Sequence, residues 1–167
     1  ETAPPGNVRP MAETSIDLLN RAIADELSAV HQYMYFHFHC DDQGYDLLAA
    51  LFKRTAIEEM GHVEACAERI LFLGGDAELV WTDPVEKIQD PRSMVEKAAQ
   101  MEHGSAKDYN TWANECRAAA DSASARVFED LVADEERHYD QYTTEMETMD
   151  RFGDQYLVLQ SIERSKS

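Results

Sequence analysis

The amino-acid sequence predicts an all-α protein: four long helices paired as two antiparallel hairpins, one long crossover between the hairpins, and a short fifth helix at the C-terminal end. Three observations predict it. Apolar residues recur at helical spacing through long stretches free of Pro. Turn signals stand at Gly44 and at Asp121-Ser122, with one long aperiodic stretch between them. Both halves also carry one sparse pattern at one spacing. Glu26 is followed thirty-three residues later by Glu59-x-x-His62, and Glu102 thirty-three residues later by Glu135-x-x-His138.

The first helix is expected from about Ser15 to Asp42, with the apolar stripe Ile16, Leu19, Ile23, Leu27, Val30 and Met34. Gly44 marks a tight turn, and a second helix runs from Leu47 to Leu73, where Gly74-Gly75 stops it. So short a connection makes the pair antiparallel. Between Gly75 and Pro91 the periodicity fails, and Trp81, Pro84 and scattered charges read as an extended crossover. Asp90-Pro91 then reads as an N-cap followed by Pro at the first helical position, opening a third helix to about Ala120. A fourth helix follows the break at Asp121-Ser122 and runs to about Phe152. Beyond Gly153 a last segment, Gln155 to Arg164, has apolar Tyr156, Leu157, Leu159 and Ile162. No strand pattern of useful length occurs, and residues 1–13 read as a flexible N-terminal arm before a single domain over 14–167.

The repeated pattern carries the chemistry. Glu and His three positions apart lie about 60° apart around a helix, so both reach inward toward one point. Two such hairpins in a pseudo-twofold arrangement bring four carboxylates and two imidazoles to one level of the bundle, the donor set of a di-iron site. A single Glu-x-x-His is weak in so acidic a chain; the equally spaced pair is not. The expected ligands, which are also the catalytic residues, are Glu26, Glu59, His62, Glu102, Glu135 and His138. Glu59 and Glu135 are expected to bridge and Glu26 and Glu102 to be terminal. Four carboxylates offset most of the charge of two ferrous ions, and hard oxygen donors accept the ferric state. The predicted reaction is oxidation of Fe(II) to Fe(III) by dioxygen or peroxide.

Thirty-three acidic against fifteen basic residues give a formal net charge of −18, which repels nucleic acid and anionic membranes and attracts cations. No apolar run approaches the roughly 20 residues needed to span a bilayer. Cys40, Cys66 and Cys116 are few, odd in number and widely spaced, which fits a reducing, cytoplasmic compartment and ordinary core packing. Tyr33 and Tyr109 each lie seven residues after a terminal Glu, near the inward faces, as core residues or as sources of a proton or electron. His31, His37, His39 and His103 lack a partner set, with His37 nearest the inward stripe. If Glu59 and His62 face inward, Met60 points out of the bundle, as a chance exposed residue, as a contact with a neighbouring subunit, which spacing alone favours, or as a thioether ligand for a metal or haem.

The stretches Asp25-Glu26-Leu27-Ser28-Ala29-Val30-His31-Gln32-Tyr33, Ile57-Glu58-Glu59-Met60-Gly61-His62 with Glu68-Arg69-Ile70-Leu71-Phe72-Leu73, and Asp134-Glu135-Glu136-Arg137-His138 resemble bacterioferritin. The resemblance runs from about Leu18 to Glu163. It implies a ferritin-like bundle with a short fifth helix and a ferroxidase centre of the six named residues in each subunit. It further implies a hollow homo-oligomeric cage, of twenty-four subunits rather than twelve, that stores iron as mineral. Met60 matches the family's haem ligand, shared across a twofold dimer interface, and a ferredoxin is the implied electron donor. Arg54 stands where the family often has an inner-surface His, and Cys66 where a Tyr is frequent. Two other readings use the same bundle. A rubrerythrin-like peroxidase normally carries a Cys-rich iron domain, not seen in this sequence, and a Dps-type shell builds its iron site between subunits.

Overall fold

Five helices account for most of residues 8–159, the residues described by the structure, which is a computed structural model. They are α1 (Val8–Gln43), α2 (Asp46–Phe72), α3 (Pro91–Ala118), α4 (Ser122–Phe152) and α5 (Asp154–Leu159). The first part of the expected arm and the end of the last segment, including Ile162, lie outside the described residues. Helix α1 begins ahead of the expected Ser15. Pro10 falls in its first turn, where a missing N–H leaves no helix bond unmade, so it does not set the boundary.

Each terminus has a local cause. Gly44 adopts φ 85°, and the chain closes there through Tyr45 N–H donating to Cys40 O at 2.8 Å. Asp90 caps α3 by accepting from Ser93 N at 2.9 Å, with Pro91 at the first position as expected. Helix α3 stops two residues early because Ala120 takes φ 58°, a left-handed residue that sequence does not announce when it is not Gly. Asp121 then caps α4 through Ser124 N, and Arg69 at the end of α2 donates to Asp121 Oδ1 at 2.8 Å and to Ser124 Oγ at 2.9 Å. The end of one hairpin is thus tied to the turn of the other.

The crossover has no regular structure, yet it is held to one stripe of α1. Asn20 pairs with the backbone of Asp76 and Glu78, Ser28 accepts from Thr82 N and Asp83 N, and Gln32 pairs both ways with Glu86. Trp81 meets His31 edge-on with ring centroids 4.7 Å apart. A Cβ at Gly75 would lie 2.9 Å from Ile16 Cδ1, so any side chain there would have to push Ile16 aside where the strap leaves α2 beside α1.

Helix α1 packs along α2 and α3 along α4, and the hairpins meet over two apolar clusters. One contains Tyr33, Phe36, Phe52, Met94 and Tyr142; the other contains Leu19, Ile23, Ile70, Tyr109, Trp112 and Phe128. The acidic level of the bundle lies between them on every helix. All three cysteines are free and buried in these clusters or at their edges, as expected. Among the described residues no helix is long and apolar enough to cross a membrane.

Candidate metal centre

All six expected ligands converge, and all are buried: Glu26, Glu59, Glu102 and Glu135 at 2% exposure or less, His138 at 0% and His62 at 6%. They form two overlapping groups whose ligand atoms lie within 4.8 Å of one another: Glu26, Glu59, His62 and Glu135, and Glu59, Glu102, Glu135 and His138. Glu59 and Glu135 belong to both. Their two oxygens divide between the halves. Glu59 places Oε2 2.8 Å from His62 Nδ1 and Oε1 3.2 Å from His138 Nδ1. Glu135 places Oε1 3.1 Å from His62 Nδ1 and Oε2 4.0 Å from His138 Nδ1. Glu26 and Glu102 each lie near one imidazole alone, at 3.5 and 3.4 Å.

These short distances are not hydrogen bonds. Glu59 Oε1 and Oε2, Glu102 Oε2, Glu135 Oε1 and the Nδ1 atoms of both histidines are buried without a hydrogen-bond partner. A buried polar atom left unpaired costs about 1–3 kcal/mol, so six in one place require a common cause. Their lone pairs face one volume, which cations would satisfy together. Two divalent ions fit this donor set, with a carboxylate pair shared between them.

The same crowding displaces the proton equilibria. Burial and the neighbouring Glu59 charge raise the Glu26 carboxyl to about 8. Burial, then the charges of Glu26 and Glu59, raises Glu135 as well. Glu59 goes the other way: burial opposes its charge, but the flanking His138 and His62 outweigh it and hold the carboxyl low. Burial also opposes charge on His138, and the Glu102 and Glu59 carboxylates overcome it, raising the imidazole to about 10. His62 is raised by the same balance. Protons therefore take the place of cations in the metal-free cluster, and metal binding releases them.

A second layer orients the first. His62 Nε2 lies 3.1 Å from Asp134 Oδ2, and His138 Nε2 lies 2.6 Å from Glu58 Oε2, which leaves each Nδ1 facing the centre. Tyr109 donates to Glu26 Oε1 at 2.7 Å, and Tyr33 donates to Glu102 Oε1. Both tyrosines thus have satisfied hydroxyls and also touch a site carboxylate. Residue spacing alone does not mark Glu58 and Asp134 as orienting groups. The available signal was an acid directly before each shared Glu, in Glu58-Glu59 and Asp134-Glu135.

The remaining candidates do not join the cluster. His37 bonds Ala49 O at 2.8 Å, while His39 packs on Tyr35 and His103 on Tyr139. Met60 points outward and is 51% exposed. On the α1/α3 side a cavity of about 260 Å³, lined by Asp25, Ser28, Asp83, Lys97 and Asp108 among others, reaches Glu102 and Glu135. Burial and the charges of Asp108 and Asp83 raise Asp25 to about 6.

Two helical hairpins, one crossover and a buried Glu/His di-metal cluster define a ferritin-like protein, and the family described as Ferritin-like domain matches residues 16–152. Among its relatives is the bacterioferritin of Desulfovibrio desulfuricans, 36% identical over 92% of this chain and 86% of the relative. The bacterioferritin of Rhodobacter capsulatus is 37% identical over 86% and 89%. The chain belongs to the bacterioferritin family. A solved structure of the D. desulfuricans protein, with its diiron site in different catalytic states, superposes with a TM-score of 0.91 at 34% identity over 94% of this chain and 92% of that one. The R. capsulatus structure, with a metal-free dinuclear site and haem iron in a special position, gives 0.83 at 35% identity over 87% and 91%.

Proposed function

We propose that this protein oxidises Fe(II) to Fe(III) at a di-iron ferroxidase centre within each chain and stores the product inside a homo-oligomeric cage. The observation that carries this reading is the set of six orphaned buried atoms on Glu59, Glu102, Glu135, His62 and His138. In this reading Glu26 and His62 hold one iron, Glu102 and His138 hold the other, and Glu59 and Glu135 bridge. The site is complete in one chain, unlike that of a Dps-type shell.

Iron is the substrate, and each ferrous ion gives one electron to dioxygen or peroxide. The protein's own contribution is electrostatic and positional. Asp134 and Glu58 accept from Nε2–H and thereby fix the tautomer that frees Nδ1 for metal. Tyr33 and Tyr109 stay protonated, since burial and then the Glu102 and Glu26 charges push both hydroxyls well above their usual pKa, so they keep donating to those carboxylates. Shared carboxylates that divide their oxygens tolerate a changing metal–metal distance as iron is oxidised. The acidic α1/α3 cavity offers ferrous ions a route from outside the bundle.

The exposed Met60 thioether shares an α2 face with exposed Ile57, and this apolar, soft-donor surface is where haem would bind between two copies. Haem bound there would pass electrons from a ferredoxin donor to the ferric mineral, reducing Fe(III) to Fe(II). The reading takes residues 14–167 as the di-iron domain, with α1 reaching back into the arm as far as Val8, and places the protein in the cytoplasm as a twenty-four-subunit cage. The test is stopped-flow oxidation of Fe(II) by the assembled protein. Glu59→Ala and His62→Ala are expected to abolish the rapid phase with the shell intact; rapid oxidation unchanged in both would overturn the reading.

A further inference from the structure

The outer edges of the two imidazoles are joined through one guanidinium that the six-ligand reading does not use. Arg137 Nη2 donates to Glu58 Oε2 at 2.6 Å, the same oxygen that His138 Nε2 approaches at 2.6 Å. The same Nη2 donates to Asp134 Oδ1 at 2.9 Å, while the other oxygen of Asp134 lies 3.1 Å from His62 Nε2. A continuous polar chain thus runs from His138 through Glu58, Arg137 and Asp134 to His62 across the α2/α4 side of the site.

We propose that Arg137 is a positioning residue for the metal pair: by holding Glu58 and Asp134 together it fixes the orientation of both ligand imidazoles and couples the two metal positions. The inference rests on the di-metal reading above. A histidine presents Nδ1 reproducibly only when its other nitrogen has a fixed acceptor. Glu58 and Asp134 are poor anchors by themselves, because their side chains are 41% and 44% exposed and free to exchange the imidazole for water. The guanidinium is planar, permanently charged and strongly directional, so one group restrains both acids at once. Each acid belongs to the hairpin opposite the histidine it holds, and the bond from Arg137 on α4 to Glu58 on α2 adds a further tie between the halves. An ordinary exposed ion pair would contribute a little stability and leave metal occupancy alone. A positioning role does the reverse.

The test uses Co(II), which binds without turnover. Crystals of the assembled protein are equilibrated at sub-saturating Co(II), and anomalous scattering at the cobalt edge gives the occupancy of each position. A solution titration followed by cobalt d–d absorbance gives the affinities. Arg137→Gln is expected to weaken both positions about tenfold, the low end for loss of an outer-shell partner, since the acids remain. Glu58→Ala is expected to weaken mainly the position beside His138, and Asp134→Ala mainly that beside His62, each with a smaller loss at the other position through Arg137. The metal-free melting temperature of Arg137→Gln is expected to stay within a few degrees of the parent. If that variant does not assemble, Arg137→Met keeps the aliphatic stem, removes the donors and reads the same quantity. An Arg137 variant with unchanged affinity at either position overturns the proposal. A parent protein that binds no Co(II) overturns the di-metal reading instead.

Discussion

Stripping the metal should make this protein lose stability as pH rises from 5 to 8, in the range where most proteins are near their maximum. The prediction follows from Glu26. Its carboxyl sits at about 8 in the folded metal-free cluster, because burial and Glu59 oppose its charge, against 4.5 for the ordinary group. Between those values the folded chain holds a proton that the unfolded chain has released. Stability is then fully present below 4.5 and declines through 8, by roughly 1.4 kcal/mol per pH unit and about 5 kcal/mol in all at the upper limit. His138, raised from 6.5 to about 10, adds a loss of the same sign above pH 6.5. Glu59 does not cancel either, since a lowered carboxyl contributes a constant amount above its unfolded value. At 2–4 °C per kcal/mol, the melting temperature should fall by on the order of 10 °C. The assay is scanning calorimetry of metal-free and Zn(II)-loaded protein at matched concentration from pH 5 to 8. The loaded form should not share the decline, because its ligands are already deprotonated and bind more tightly as pH rises. A metal-free melting temperature that is flat or rising over this interval would refute the reasoning.

Three further outcomes are expected. If haem binds at the proposed Met60 site, Met60→Leu should remove haem absorbance from the assembled protein while the initial rate of ferrous oxidation is retained; haem bound with unaltered axial ligation would show the Met assignment wrong. Tyr109→Phe leaves Glu26 Oε1 without its donor and should weaken the metal position beside His62 by about tenfold, the value of a charge-assisted bond of roughly 1.5 kcal/mol, with the other position unchanged by Co(II) titration. Asp121→Ala removes both the α4 cap and the acceptor for Arg69, and should lower stability by about 1–2 kcal/mol in denaturant unfolding without altering Co(II) affinity.

The bundle was legible because its signals are local and repeated. Apolar stripes, the Asp90-Pro91 start and the Gly44 and Gly74-Gly75 stops each act within one turn, so the helix order follows from reading along the chain. The six convergent side chains were legible because a spacing of thirty-three residues occurs twice. What sequence did not carry depends on space rather than spacing. The left-handed Ala120 has no compositional mark, and Pro10 is compatible with helix where it stands. Ser28 and Gln32 meet the crossover only because the strap lies on that stripe of α1. The acids behind the histidines share this character: Glu58 and Asp134 read as two more charges in a highly acidic chain until the hairpins are placed side by side.

The contacts that complete the centre all run between the hairpins. Tyr33 of the first donates to Glu102 of the second, and Tyr109 of the second donates to Glu26 of the first. His62 of the first meets Asp134 of the second, and His138 of the second meets Glu58 of the first. Neither hairpin can therefore orient its own ligands, although each supplies a terminal Glu, a shared Glu and a His. Such an arrangement answers a specific physical difficulty. When metal is absent only bound protons offset the four carboxylates held in one buried level, and those protons are lost as pH rises, so the two halves need a tie that does not depend on them. The crossed hydrogen bonds join them from outside the cluster, with apolar packing above and below. The centre is thereby kept open and oriented for two cations while the groups that bind them oppose one another.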